Sequence, residues 1–409
     1  MPIPRVAFCT DTFDETNGVA TISRQFAAFA HRERLKFLLV RPGPACRSYS
    51  ENSLTIVEVA RSRFCIPLDM GLRFDLRIAR HFAWLRDEFT AFAPDVVHIT
   101  SPGDIGMVCA RLAHVIRVPG VPLVAGWHTN VHQYARLRAE PLLRLFAARA
   151  AASLGARIEA GAFVAAARFY RTAQHILAPN EEILSQLTAR TGKSGSVMPH
   201  GVDTDLFVPA VAVPAAHSRD GLLTLGYVGR LNPEKNVRFL VQIAKRLPPG
   251  IRSQIRFLIV GDGSERPWLE RHLPQAHFTG ILRDRDLAKA YAEMDIFLFP
   301  SQSDTFGLVV LEAMSAGVPV VAFQLCGPRS AVDDGITGYT AATPGEFIER
   351  VADLVCDFSL RDRLGKASRR TALRFRWDTV FNSFYSAYAA ILSANAPAAG
   401  EISKPVLQI

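Results

Sequence analysis

The stretch SQSDTFGLVVLEAMSAGVPVVA, residues 301–322, decides the fold of this chain. The preceding run IFLFPS predicts a buried strand that ends at Pro300, the residues from Gly307 onward predict a helix, and PVVAF predicts the next strand. Two apolar strands joined by a helix form a parallel crossover unit. The loop that carries Asp304 then lies at the carboxyl edge of a parallel sheet, where ligands bind in open α/β domains.

The same alternation of apolar strands and helices extends in both directions from this stretch. In the first half the predicted strands are RVAFCT, KFLLVR, TIVEVA, DVVHIT and PLVAGWHT, with helices around residues 19–31, 75–90 and 103–116. In the second half they are LTLGYVG, IRFLIVG, HFTGI, IFLFPS and PVVAF, with helices near 236–247, 265–273, 285–294, 307–316 and 345–357. Two such series predict an α/β protein with two doubly wound parallel sheets.

Helical periodicity lapses near residues 195–220, which are rich in Pro, Gly and Asp, so the domain boundary is expected there. Before it, residues 137–190 predict a long helical region. We expect an N-terminal domain over 1–198, a C-terminal domain over 199–375, a closing helix over 376–393 that packs back on the first domain, and a flexible tail over 394–409.

Composition excludes several classes of protein. The chain has 409 residues, 49% hydrophobic and 21% charged, which argues against both a single small domain and wholesale disorder. No uninterrupted apolar run approaches membrane-spanning length, and MPIPRVAFCTDTF lacks the features of a secretory signal. Six cysteines without a CxxC pair predict buried thiols in a reducing compartment. We therefore expect a cytoplasmic protein, with the inner face of the cytoplasmic membrane as a further place of action.

The net charge of +9 is unevenly distributed. Residues 1–200 hold 24 Lys and Arg against 16 Asp and Glu, whereas residues 201–409 hold 23 against 22. In the basic half, Arg73, Arg77 and Arg80 recur at helical spacing beside an apolar stripe, with Arg61 and Arg63 upstream. This pattern predicts a basic amphipathic helix that faces an anionic membrane or acceptor, or else a helix whose stripe packs on the sheet. No nucleic-acid recognition motif accompanies the charge, so nucleic acid is not expected as a partner.

Three loops carry candidate ligand-binding residues. GYVGRLNPEKN, residues 226–236, places Gly229, Arg230 and Lys235 after a strand, where the cations would bind a phosphate or would simply be solvated. The helix that starts near Gly307 offers free backbone N–H groups to an anion. Asp304 is either a ligand or a helix cap. Glu312 is either an exposed helix residue or, because its helix is otherwise apolar, a carboxylate that needs a partner or a ligand.

Two candidates lie in the first half. Gly18 follows the first strand, where a glycine allows close approach of a ligand or simply forms a turn. His128, in GWHTNVHQY, stands at another strand end as a ligand contact or a structural histidine. The GDG sequence at 261–263 predicts a tight turn.

Taken together and in this order, the motifs resemble those of the family-4 retaining glycosyltransferases. The resemblance rests on NGV at 17–19, PHGVDTDLF at 199–207, GRLNPEKN at 229–236, GDG at 261–263 and the acidic block at 304–321. It covers roughly residues 3–392. It implies the GT-B fold, with two Rossmann-like domains that face each other across a deep cleft.

The resemblance also implies roles for individual residues. Arg230 and Lys235 match the pair that neutralises the donor diphosphate. Glu312 matches the second Glu of a Glu-x7-Glu motif, which holds the donor ribose, and His128 matches a histidine that contacts the donor sugar. The remaining donor-binding positions implied by the resemblance are Gly18, Gly229, Leu282, Asp284, Phe306, Gly307, Leu308 and Val309. Asp284 matches approximately a carboxylate that binds guanine, although a helix-capping role is the simpler interpretation.

One position departs from the family pattern. Asp304 stands where the first Glu of the motif is expected, which keeps the acceptor oxygens but shortens the side chain by one methylene. The string SDTFG resembles a subgroup of α-mannosyltransferases that act on lipids. The resemblance therefore implies transfer of mannose from GDP-mannose to a lipid-linked or glycan acceptor by same-face attack.

Other functions stay open at this stage. They are a glycosyltransferase that uses a UDP-sugar with a glycan or small-molecule acceptor, a nucleotide-sugar epimerase, and a non-catalytic sugar-nucleotide-binding protein. No DxD motif or His/Cys cluster recommends a metal, so neither a metal nor another cofactor is expected.

Overall fold

The computed structural model describes residues 3–15, 17–67, 73–116, 121–128, 130, 132, 135–136, 139–140, 143, 150–198, 200–210, 221–302, 304, 306–324 and 331–394. Apart from residue 394, the tail predicted over 394–409 lies outside these residues, as does part of the predicted interdomain segment, 211–220.

Strands in the described residues are short and mostly apolar. They are β1 (Val6–Cys9), β2 (Phe37–Gly43), β3 (Arg47–Glu51), β4 (Leu54–Ala60), β5 (Cys65–Pro67), β6 (Arg73–Asp75), β7 (Val96–Ile99), β8 (Leu123–Gly126), β9 (His175–Ala178), β10 (Ser194–Val197), β11 (Leu223–Val228), β12 (Ile255–Val260), β13 (His277–Gly280), β14 (Ile296–Phe299), β15 (Val320–Phe323) and β16 (Gly338–Ala341).

Helices in the described residues connect and flank these strands. They are α1 (Gly18–Arg32), α2 (Phe82–Phe92), α3 (Asp104–Val115), α4 (Ala151–Tyr170), α5 (Glu181–Thr191), α6 (Phe239–Arg246), α7 (Pro249–Arg252), α8 (Arg266–His272), α9 (Asp284–Ala292), α10 (Leu308–Ser315), α11 (Pro344–Cys356), α12 (Phe358–Ala372) and α13 (Trp377–Ala394). Short 3₁₀ turns occupy Ile78–His81, Pro233–Lys235 and Leu373–Phe375.

The first sheet has eight strands in the order β10-β9-β8-β7-β1-β2-β4-β3. Strand β1 lies between β2 and β7 and is parallel to both, with Val6 opposite Phe37 on one side and Val96 on the other. Strand β3 pairs antiparallel with β4. Every residue of β1 and β7 is buried, as expected for parallel strands covered on both faces.

The second sheet has six strands in the order β13-β12-β11-β14-β15-β16. Numbered within this sheet, the order is that of a dinucleotide-binding domain, 3-2-1-4-5-6, and the strand order reverses between the parallel neighbours β11 and β14. Alternate residues of each strand enter opposite cores. Leu298 of β14 belongs to one apolar cluster, and its neighbours Phe297 and Phe299 belong to the other.

The chain forms two compact units. The first comprises the described residues of Met1–Gly126, Thr172–Ile176 and Phe381–Ile409, and the second those of Trp127–Arg171 and Leu177–Val380. Within the first unit, most of α13 packs on α1 and β7. The Phe381 ring stacks on that of Phe26 at 4.6 Å, and the Tyr388 hydroxyl oxygen lies 2.6 Å from His98 Nδ1.

Three expectations from the sequence were wrong in part. The segment around 75–90 is not one helix, because β6 and a 3₁₀ turn precede α2, so Arg73, Arg77 and Arg80 do not lie along a single helix face. Strand β9 interrupts the helical region predicted over 137–190. The described cysteines are free thiols, but Cys46 and Cys356 are exposed rather than buried.

No helix in the described part of the chain is both long enough and apolar enough to cross a bilayer.

Removal of the Tyr388 hydroxyl should loosen the attachment of α13. We expect Tyr388→Phe to lower the free energy of unfolding by about 1–3 kcal/mol, because it deletes a buried hydrogen bond to His98. Tyr385→Phe on the same helix is the matched control, since the buried Tyr385 hydroxyl has no hydrogen-bond partner among the described residues. Urea denaturation measures both, and equal losses would contradict the assignment.

Candidate functional site

The candidate site begins with glycines at the carboxyl ends of β11 and β12. Gly229 and Gly261 have φ of +154° and +133°, a region that favours glycine. A Cβ on Gly261 would clash with the carbonyl oxygen of Gly229, and one on Gly263 with that of Leu231. The glycines therefore let the loops after two neighbouring strands come close together.

An ion pair joins the loop after β11 to the loop after β14. Lys235 Nζ donates to Asp304 Oδ1 at 2.6 Å, and the two side chains are 14% and 21% exposed. Asn236, in the left-handed region at φ +53°, donates from its side-chain amide to the carbonyl oxygen of Pro300 at 3.1 Å. Asp304 thus acts as a partner of Lys235 at the point where the strand order reverses.

Arg230 adds a second cation to the same loop. Its guanidinium lies 3.7 Å from Glu234 Oε1, and its side chain is 26% exposed. The Tyr227 hydroxyl donates to the Arg230 carbonyl oxygen at 2.9 Å, which fixes the backbone at this point. Desolvation raises the pKa of Tyr227, so this hydroxyl stays protonated as a donor.

Helix α10 begins at the same edge of the second sheet. Gly307 is its N-cap and has φ of +84°, where a side chain would be strained. No side chain of the described residues caps this end. The first backbone N–H groups, those of Leu308 and Val309, therefore stand at the positive end of the helix dipole.

Glu312 lies within α10 and faces a tyrosine. The Tyr291 hydroxyl donates to Glu312 Oε2 at 2.7 Å. Desolvation raises the pKa of Glu312 to about 7, and the hydrogen bond from Tyr291 opposes that rise. A carboxylate with so raised a pKa, held in place by a hydrogen bond, is a candidate for ligand contact.

A stack of rings adds one residue that sequence reasoning missed. The His200 ring stacks on that of Phe306 with centroids 4.5 Å apart, and its centroid lies 6.0 Å from that of His128. Desolvation lowers the pKa of His128 to about 4 and that of His200 to about 3, so both rings are neutral at physiological pH. His200 lies in PHGVDTDLF. The only feature of the sequence that could have indicated a ligand-binding role for it is that a histidine precedes a glycine there.

Other predicted donor-binding residues are more dispersed. Leu282 is half-buried against a core of the second unit. Asp284 is exposed and opens α9 at φ +46°, with Arg283 rather than Asp284 as the N-cap, so the helix-capping interpretation was wrong. Gly18 is exposed at the start of α1 in the first unit, where the Asn17 side chain accepts from Ala20 N.

The arginines that were predicted to form one cationic face fall into two groups, those paired with buried carboxylates and those exposed to solvent. Arg61 binds Asp104 through two contacts of 2.8 Å and is 11% exposed, so it does not contribute an exposed charge. Arg80 pairs with buried Asp75 at 3.0 Å. The exposed arginines Arg63 and Arg77 both lie over the Phe64 ring, at 5.4 and 5.3 Å, and Arg73 is exposed on β6.

In the first sheet the strand order reverses between β1 and β7, and a carboxyl group of the protein itself occupies this position. Asp11 accepts from the backbone N–H groups of Ile105 and Gly106 at 2.9 and 3.3 Å and from Ser101 Oγ at 2.5 Å. Desolvation, together with neighbouring Asp104, raises the pKa of Asp11 to about 7. A carboxyl of the chain thus occupies the N-terminus of α3, whereas no described side chain caps α10.

No group of three or more His, Cys, Asp or Glu side chains within the described residues is arranged to hold a metal ion.

Comparison with known proteins gives consistent results. The family profile described as Glycosyltransferase Family 4 matches residues 16–206, and that described as Glycosyl transferases group 1 matches residues 223–357. A GDP-mannose-dependent alpha-mannosyltransferase of Mycolicibacterium smegmatis is 34% identical over 312 residues, which are 74% of this chain and 75% of that protein. One from Corynebacterium glutamicum is 25% identical over 95% of this chain and 89% of its own.

A crystal structure of Anabaena HepE in complex with UDP has a TM-score of 0.67 to this chain at 17% identity, and covers 94% of this chain and 100% of its own. This likeness confirms the predicted GT-B fold class with two Rossmann-like domains.

The raised pKa of Glu312 predicts a pH dependence of stability. The unfolded carboxyl ionises near pH 4.5 and the folded one near 7, so stability should fall as pH rises through that window. Glu312→Gln should therefore be more stable than the parent at pH 8, by on the order of 1–3 kcal/mol, and most of this advantage should be lost at pH 5. Urea denaturation at both pH values measures it.

Glu293→Gln is the control, because Glu293 is exposed at the end of α9 in the same unit. A Glu312→Gln effect that is the same at pH 5 and pH 8 would show that the Glu312 carboxyl ionises normally.

Proposed function

The chain belongs to glycosyltransferase family 4, and we propose that it transfers mannose from GDP-mannose to a lipid-linked or glycan acceptor with retention at the anomeric carbon. One observation carries the proposal for the donor site. Arg230, Lys235 and the start of α10, which no described side chain caps, converge where the strand order of the second sheet reverses. This is the position at which open α/β sheets bind nucleotides.

The leaving group explains why cations are needed there. When the bond between the sugar and the diphosphate breaks, negative charge develops on the β-phosphate. Arg230, Lys235 and the backbone N–H groups at the start of α10 are positioned to stabilise that charge before the reaction begins. Lys235 is held ready by Asp304, so little reorganisation precedes donor binding.

Asp304 and Glu312 have different tasks in this proposal. Asp304 keeps one carboxylate oxygen on Lys235 and offers the other to a sugar hydroxyl. Glu312 accepts from the donor ribose hydroxyls while Tyr291 holds its second oxygen. Phe306, through its stack on His200, fixes the backbone that leads into Gly307. His128 contacts the donor sugar as a neutral ring.

We propose the remaining assignments because the family resemblance implies them. Leu282 and Asp284 bind the guanine base, Gly229 and Leu308–Val309 approach the diphosphate, and Gly18 approaches the reacting centre. We propose that residues 1–198 bind the acceptor, residues 199–375 bind the donor, and residues 376–393 close the structure against the first domain.

Transfer then proceeds on one face of the sugar. The bond from the anomeric carbon to the diphosphate oxygen breaks, the acceptor oxygen attacks from the same side, and its proton passes to a phosphate oxygen of the departing GDP. The transition state resembles an oxocarbenium ion, as in glycoside hydrolysis. The cations of the site supply the charge stabilisation, so we propose that the reaction needs no metal.

The acceptor side carries the surplus positive charge. Exposed Arg63, Arg73 and Arg77 lie on or beside the β5–β6 hairpin. Arginines beside apolar side chains favour an anionic bilayer surface. We propose that the protein acts in the cytoplasm, at the inner face of the membrane.

Nucleotide binding tests the donor assignment. By isothermal titration calorimetry we expect GDP to bind more tightly than UDP. Arg230→Gln and Lys235→Gln should each weaken GDP binding about 10–100-fold, because each removes a charged hydrogen bond. Lys245→Gln, at an exposed position of α6, should bind as the parent does. Tighter UDP binding would remove the mannose assignment and favour a UDP-sugar donor.

Product analysis tests the reaction. Incubation of the enzyme with GDP-mannose and a total membrane lipid extract should give mannosylated lipid by mass spectrometry, and EDTA should leave the rate unchanged. Glu312→Ala should lower kcat/KM at least 100-fold, whereas Glu293→Gln should not. An epimerised nucleotide sugar formed from donor alone would identify an epimerase, and binding without turnover a non-catalytic protein.

A further inference from the structure

A groove in the first unit has no role in the chemistry described above. It encloses about 450 Å³ between the β5–β6 hairpin, the 3₁₀ turn at Ile78–His81 and helix α3. Its walls are mostly apolar, and its lining includes Phe74, Leu76, Ile78, Phe82, Met107 and Val108. This volume lies within the range of roughly 300–1,000 Å³ that is typical of small-molecule sites.

Apolar side chains at the mouth of the groove are left in solvent. Leu76 is 64% exposed and Met107 39%, and on the adjoining hairpin Phe64 and Ile66 are 49% and 47% exposed. The hairpin connects them, because Ile66 pairs with Phe74 and Leu76 N donates to the Phe64 carbonyl oxygen. Grouped exposure of large apolar side chains marks a surface that binds something apolar.

The two carboxylates in the lining are already neutralised. Asp75 accepts from Arg80 and from Ser62, and Asp104 accepts from Arg61. Both acids are fully buried. The groove therefore presents no free negative charge from these two residues.

The rim of the groove is cationic. Arg111 lies over the Phe82 ring at 5.1 Å, and Arg63 and Arg77 flank Phe64. Arg73 is exposed at the start of β6. None of these four arginines forms an ion pair with a carboxylate among the described residues. An apolar groove with exposed arginines at its mouth is complementary to a hydrocarbon chain that ends in an anionic head group.

We propose that this groove binds one hydrocarbon chain of the anionic lipid acceptor, with the head group at Arg63, Arg73, Arg77 and Arg111. The proposal rests on the proposed function, because it names the acceptor of that reaction. It differs from simple adsorption to a bilayer, since a single lipid molecule outside any membrane should bind.

The test uses a single-chain anionic lipid, lysophosphatidylglycerol, below its critical micelle concentration. We expect calorimetry to detect its binding to the full chain, and to detect none for glycerophosphoglycerol, which has the head group without the chain. Ala79→Trp fills the groove from an exposed lining position and should weaken lipid binding at least tenfold. The control is Val115→Trp. Val115 is likewise exposed but lies at the end of α3, outside the lining of the groove, so this variant should bind as the parent does.

A second variant tests the groove without a bulky substitution that could disturb folding. Leu76→Glu changes a side chain that is 64% exposed, so folding should be unaffected. The new carboxylate should weaken binding of the hydrocarbon chain, because it would have to lose water beside it, and should repel the anionic head group. Both groove variants should raise the KM for lipid acceptor and leave kcat and GDP binding unchanged. Unaltered lysolipid binding by Ala79→Trp and Leu76→Glu would overturn the proposal, as would equal loss in Val115→Trp.

The outcomes separate this inference from the proposed function. A protein that binds lysolipid through the groove but transfers no mannose would refute the function and leave the groove intact. A protein that transfers mannose with unchanged lipid KM in both groove variants would refute the groove alone. Light scattering that shows a dimer broken by Ala79→Trp would also overturn the proposal, by making the groove an interface between copies.

Discussion

The ion pair between Lys235 and Asp304 joins residues 69 positions apart, and it exists because β11 and β14 are neighbours in one parallel sheet. Parallel strands bring their carboxyl ends to the same edge, and the strand order reverses between these two. The loops that follow them must therefore meet. The diphosphate binding proposed for the second unit depends on that meeting, since Arg230, Lys235, Asp304 and the start of α10 all stand on these two loops.

Several features proposed for ligand binding at this edge of the second sheet lower the stability of the folded protein. Gly229, Gly261 and Gly307 all adopt backbone conformations that glycine tolerates best, and glycine is entropically costly to order. Glu312 is a carboxyl whose desolvation raises its pKa to about 7, which disfavours its ionised form in the folded protein. The buried His128 and His200 rings stay neutral for the same reason. A ligand with phosphates and hydroxyls would relieve part of this cost by supplying partners.

The helix start beside the point where the strand order reverses is occupied differently in the two units. In the first, Asp11 occupies the helix start at the reversal point with its own carboxyl. In the second, the corresponding position is lined by cations and backbone N–H groups and ends at Gly307. This contrast is why we assign the diphosphate to the nearly neutral half of the chain. The surplus of arginines then lies beside an apolar groove, where a lipid acceptor would place its anionic head group.

Much of this was predictable from the sequence, for physical reasons. The apolar strands and the positions of Arg230, Lys235 and Asp304 after them follow from local pattern, because strand ends and glycine turns are encoded locally. The pairing of Lys235 with Asp304 and of Tyr291 with Glu312 is tertiary, and no spacing indicates it. Arg61 could not be distinguished from an exposed cation, since its partner Asp104 lies 43 residues away. The break before α2 was missed because Arg73, Arg77 and Arg80 mimic helical spacing.

The central claim is that the reversal point of the second sheet holds the donor diphosphate. A crystal structure of the protein with GDP tests it most directly. The account predicts that the β-phosphate lies within hydrogen-bond distance of Lys235 Nζ, the Arg230 guanidinium and a backbone N–H group of residues 307–309, with the ribose hydroxyls on Glu312. A diphosphate bound elsewhere, with the Lys235–Asp304 contact unchanged and no ligand at α10, would contradict it.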